Sequence, residues 1–129
     1  MAKKILVVDD LEQNRMLLKD VLRYFGYAVV EASNGEEGVK MAREELPDLI
    51  LMDMNMPVMD GYTALQVLRR DPLTRGLRVV AVTSFAEGND NGSMFAAGAD
   101  GYIPKPIDIR ELPAMVEKIL AGEGKRAGE

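Results

Sequence analysis

The chain has 129 residues, 47% of them hydrophobic, which suits one domain with a core of its own. Its formal net charge of -5 argues against nucleic acid as a partner, because a phosphate backbone is bound by clustered Lys and Arg. The absence of Cys and His excludes disulfides, thiolate metal centres, serine-type triads and the usual zinc sites, and any phosphohistidine would have to belong to another protein.

The basic start, Met1 to Lys4, is followed only by the short apolar run Ile5 to Val8, too brief for a signal sequence or a membrane span. A cytoplasmic protein with no membrane contact is expected. Ile5 to Val8, Leu49 to Met52 and Val79 to Val82 are short, continuous and β-branched, as in parallel strands covered on both faces. Leu17, Leu18, Val21, Leu22 and Phe25 recur at helical spacing and predict a first helix, with Gly26 placed as a left-handed cap. Ala28 to Ala32 reads as a weaker strand, and Asn34 with Glu37 predicts a capped second helix ending before Pro47. Ala64, Leu65 and Leu68 predict a short third helix. The stripe Ile109, Leu112, Met115, Val116, Ile119 and Leu120 predicts a last one, capped by Asp108 and ended by Gly122. The alternation is (βα)5: a central parallel sheet between two helical layers, one domain over residues 1–122, and a flexible polar tail over 123–129.

Polar residues stand where the apolar strands end: Asp9 and Asp10, Asp53, Thr83, and Lys105 after Ile103. In an open α/β sheet that rim is where ligands bind. One such residue alone is an ordinary turn residue, but together they form a site. Carboxylates within ~5 Å of one another repel by about 3 kcal/mol per pair at an effective dielectric near 20. A hard divalent cation relieves this, and Mg²⁺, with Mn²⁺ as substitute, suits a site of few carboxylates and a phosphate oxygen. Phosphoryl transfer follows, with Asp53 as nucleophile, Lys105 offsetting charge on the transferred oxygens and Thr83 donating a hydrogen bond.

Asp9-Asp10, the segment from Asp53 to Gly61, Thr83, and the segment from Gly98 to Pro106 closely resemble the receiver domains of two-component response regulators, over almost the whole chain. The resemblance implies a three-layer flavodoxin-like fold with strand order 2-1-3-4-5. It also implies Asp53 as phosphoacceptor; Asp10, Asp53 and the main-chain carbonyl of Asn55 as direct Mg²⁺ ligands; and Asp9 acting through water. Thr83 and Tyr102 resemble the switch pair, and Lys105 the residue that meets the phosphoryl oxygen, aimed by a cis bond to Pro106. The implied partners are a histidine kinase or phosphotransfer protein as donor and a downstream protein target, with a monomer that dimerises at most on phosphorylation. It implies self-phosphorylation and dephosphorylation, not turnover of an external substrate.

Two segments depart from the family pattern. Glu87 to Ser93 holds two glycines where receivers carry a fourth helix, so a short helix from near Asp90 is expected after a mobile loop. Phe85, two residues after Thr83, could shield an aspartyl phosphate from water, although simple packing is the stronger reading. A flavin module is excluded by Asp9-Asp10, which would repel its phosphate, and an aspartate-based phosphatase by Asn55, where a second acid is needed. The remaining alternative is a receiver used as a phosphorylation-independent adaptor.

Overall fold

The computed structural model describes residues 3–54, 59, 61–83, 98–105 and 107–122. In chain order these form β1 (Lys4–Val8), α1 (Glu12–Tyr24), β2 (Ala28–Ala32), α2 (Gly35–Glu45), β3 (Leu49–Asp53), α3 (Gly61–Arg70), β4 (Val79–Thr83), β5 (Gly101–Pro104) and α4 (Leu112–Leu120). Asn55, Met56, Pro57, Ser84, Phe85, the Glu87 to Ser93 segment with its expected helix, Pro106 and the tail 123–129 lie outside the described residues.

The five strands make one parallel sheet in the order β2-β1-β3-β4-β5, the flavodoxin-like order expected. Every residue of β3 and β4 is buried, which is why these strands read as unbroken apolar runs rather than alternating ones. Alternate residues of one strand point to opposite faces, so the sheet divides the core in two. Leu6, Val8, Ile50, Met52, Val79 and Ala81 pack against α2 and α3. Ile5, Val7, Leu49, Leu51, Val80 and Val82 pack against α1 and α4 on the other side. This is the three-layer arrangement.

The first helix and its Gly26 cap are as expected, though its apolar residues are unevenly buried, and one local expectation, the cap of the last helix, needs correction. Of the predicted stripe on α1, Leu18 and Leu22 are buried, but Leu17 and Phe25 are 47% and 54% exposed. Phe25 is the C-cap, already outside the helix, and Gly26 behind it takes φ +94°, as its capping role requires. Asp108 does not cap the last helix. Its carboxylate accepts the Arg110 main-chain N–H at 3.0 Å and its carbonyl accepts from Glu111 and Leu112, closing a separate turn. The helix begins at Leu112 with Glu111 as N-cap, because Pro113 lacks an N–H and fits only a first helical turn.

Candidate functional site

Strand register brings the polar residues together. Val8 lies beside Met52 in the β1–β3 pairing, so the next residues, Asp9 and Asp53, leave the sheet side by side. Asp53 pairs with Val82 and Thr83 with Pro104, which puts Thr83 and Lys105 on the same rim. Lys105 starts two strands away from Asp53, roughly 10 Å at the usual strand spacing, and its flexible four-carbon stem crosses that gap. Its Nζ donates to Asp53 Oδ1 at 2.9 Å.

Carboxylate oxygens of Asp9, Asp10 and Asp53 lie within 4.8 Å of one another. Asp9 and Asp53 are buried and Asp10 is exposed, so the cluster has a sealed floor and an open mouth. Burial pushes the Asp9 carboxyl above its ordinary range, and the charge of Asp53 adds to this, while hydrogen bonds from the Leu11 N–H and from Asn14 pull it down. The Leu11 N–H donates to Asp9 Oδ1 at 2.9 Å and Asn14 Nδ2 to Oδ2 at 3.3 Å. Three carboxylates and one ammonium leave a formal charge of -2 among the described residues, in an all-oxygen donor set. That set fits one hard divalent cation. Beside it opens a cleft of about 400 Å³, bordered by Asp9, Asn14, Leu17, Val82, Lys105 and Ile107.

Thr83 is fully buried at the end of β4. Ala81, two residues earlier on the same face, pairs with Tyr102, so Thr83 and Tyr102 are diagonal neighbours on the α2–α3 side of the sheet. Tyr102 is half-buried on the edge strand and packs against that core.

Sequence reasoning passed over the residues that hold Asp9. No motif in the sequence marks Asn14 or Arg15, yet both turn back to Asp9. Arg15 Nη1 donates to the Asp9 carbonyl at 2.8 Å, and its Nε to Glu31 Oε1 at 3.2 Å. The only signal was their place in the first turn of the helix that follows Asp9-Asp10. Asp100, buried in the Gly98 to Pro106 segment, accepts the Val79 N–H at 2.8 Å and pairs with Arg69 at 3.1 Å, a structural bond away from the rim.

A parallel five-stranded α/β sheet with an acidic cluster and a lysine at the carboxyl ends of its strands defines a recognisable class. A family model described as the response regulator receiver domain matches residues 5–117, and the chain belongs to that family. It is 37% identical to the polar-differentiation response regulator DivK of Brucella anthropi over 92% of this chain and 94% of DivK. It is 34% identical to the ycf27 regulator of Guillardia theta over 97% of this chain, but spans only 48% of that longer protein. Among solved structures, the receiver domain of a Pseudomonas aeruginosa sensor histidine kinase, with a magnesium ion coordinated in its active site cleft, matches with a TM-score of 0.85. That match has 30% identity and covers 94% of this chain and 99% of the other. Among the described residues no helix is long and apolar enough to cross a membrane.

Proposed function

We propose that this receiver domain is a phosphorylation-activated switch in a two-component relay, with Asp53 as its phosphoacceptor. The observation that carries this reading is the buried Asp53 carboxylate, set between Asp9 and Asp10 on one side and the Lys105 ammonium on the other. An Asp53 oxygen attacks the phosphorus of a phosphohistidine on a kinase or phosphotransfer protein. The P–N bond breaks, the imidazole leaves with the bonding pair, and an aspartyl phosphate remains. Asp10, Asp53 and the Asn55 main-chain carbonyl would hold Mg²⁺, with Asp9 acting through water. Bound there, Mg²⁺ supplies positive charge that offsets the charge on the transferred oxygens and the repulsion among the acids.

Lys105 holds Asp53 in the resting chain and turns to a phosphoryl oxygen in the product. Thr83 donates its hydroxyl hydrogen bond to that group, and Tyr102, its diagonal neighbour, moves into the space vacated. A phosphoryl group brings nearly two negative charges, enough to reorder such a rim through charge-assisted bonds. The signal leaves through protein contacts made by a cytoplasmic monomer or its phosphorylation-linked dimer, and no external substrate is turned over.

The test is intact mass of the chain incubated with acetyl phosphate, with Mg²⁺ or with chelator, beside Asp53→Asn. One added phosphoryl group that requires both metal and Asp53 is expected. No modification under any condition would overturn the switch and leave the phosphorylation-independent adaptor.

A further inference from the structure

We infer that Arg15, locked by Glu31, is a positioning residue that fixes the Asp9–Asp10 pair for the divalent cation; this rests on the cation site in the function proposed above. The Asp9 main chain is held on two sides. Its N–H donates to the Ala32 carbonyl at 3.1 Å, and its carbonyl accepts Arg15 Nη1 at 2.8 Å. That carbonyl belongs to the peptide plane joining Asp9 to Asp10. The peptide is planar, so fixing its oxygen fixes the directions in which the chain leaves toward both acids. The two carboxylates are thus carried on opposite ends of one plate, and Arg15 pins the plate.

Arg15 is itself fixed. Its main-chain N–H enters the first turn of α1 through the Leu11 carbonyl at 3.1 Å, and its Nε meets Glu31 Oε1 at 3.2 Å. The second Glu31 oxygen accepts Lys19 Nζ at 3.1 Å, so the carboxylate is held from both sides. Glu31 and Ala32 are the last two residues of β2, and the end of β1 is therefore tied to the end of its neighbour by main chain and guanidinium together. A planar fork can reach Glu31 and the Asp9 carbonyl at once, whereas a lysine offers one point charge and cannot span both. A cation near a cation site opposes occupancy by its field. Arg15 thus acts against the ion through charge and for it through geometry, and the two roles predict opposite signs.

The experiment is calorimetric titration of the full chain with Mg²⁺, with thermal unfolding in chelator to confirm the fold of each variant. Arg15→Lys, at unchanged charge, is expected to weaken Mg²⁺ binding by about tenfold, the usual scale for residues that orient metal ligands. Arg15→Gln should weaken it too, although it removes a repelling charge. Unchanged affinity in Arg15→Lys, or tighter binding in Arg15→Gln, would overturn the inference. Should the Arg15 variants fail to fold, Glu31→Gln and Glu31→Ala make the same charge change, and only Gln keeps an acceptor for Arg15. Weaker binding in Ala than in Gln is expected, and equal binding overturns the inference. If the unsubstituted chain binds no Mg²⁺, or binds it unaffected by Asp10→Asn, the cation site itself fails, and this inference with it.

Discussion

Glu31 shows how a single side chain links stability to pH. Burial pushes its carboxyl up, but the hydrogen bonds and charges of Lys19 and then Arg15 outweigh this, so it lies below its ordinary value of 4.5. The folded chain therefore binds fewer protons here than the unfolded one. The stabilising contribution is complete above about 4.5 and is lost as pH falls through the lowered value. Being partly exposed, the cluster contributes at most about 1 kcal/mol. The unfolding free-energy difference between the unsubstituted chain and Glu31→Gln should be present at neutral pH and shrink in the acid range, as denaturant curves at several pH values will show. Arg69 makes a larger contribution. It donates to the carbonyls of Leu77 at 2.6 Å and Gly98 at 2.7 Å and pairs with the buried Asp100, so Arg69→Ala strands several acceptors and a buried charge. A loss of about 3 kcal/mol in unfolding free energy is expected, read as a lower urea midpoint at unchanged slope, with Asp100→Asn costing less because its amide oxygen still accepts the Val79 N–H.

Helix ends decide much at the next scale. Asn34 accepts the Glu37 N–H at 2.8 Å and Glu37 reaches back to Ser33, so the start of α2 was legible from a spacing of three residues. Asn34→Ala should cost about 1 kcal/mol in equilibrium unfolding. The end of α2 was legible too, since Pro47 stops it, but nothing in the sequence marks its C-cap Leu46 as lying at φ +44°, a left-handed conformation unfavourable for a leucine. Leu46 is exposed, so Leu46→Asn should raise stability by up to about 1 kcal/mol, seen as a higher melting temperature. The spacing on α1 was enough to place the helix but not to say which of its apolar residues are covered, because helical spacing shows that residues share a face, not how far the covering sheet extends. Leu17 lies beyond that cover, beside the cleft at Asp9 and Lys105.

For the molecule as a whole, the site is a product of register. Asp9, Asp53, Thr83 and Lys105 come from four different strand ends, and a slip of one residue in β1 against β3 would separate the two buried acids. Packing is equally close behind the acceptor: a methyl group at Gly61 would sit 2.6 Å from the Asp53 carbonyl oxygen, so α3 can begin there only with glycine. If the acidic cluster binds Mg²⁺ in the folded chain alone, the ion stabilises by mass action, by about 2.7 kcal/mol at a hundred times its dissociation constant. Melting temperature should therefore climb with Mg²⁺ in the unsubstituted chain and stay nearly flat in Asp10→Asn. A rise of equal size in both would place the bound ion elsewhere.

The sequence by itself determined the alternation of strands and helices, the strands buried on both faces, and the residues at the rim. These follow from local apolar runs and from which residue types end them. Five strands can be ordered in many ways by the same local pattern, and the order expected here came from family resemblance; the tertiary structure sets it through the parallel pairings themselves. Only that structure decided that Lys105 spans to Asp53, that Asp108 closes a turn instead of capping α4, and that Arg15 links the Asp9 carbonyl to Glu31. Each of these depends on where a side chain ends rather than where its residue begins, and long polar side chains carry no periodic signal of their destination.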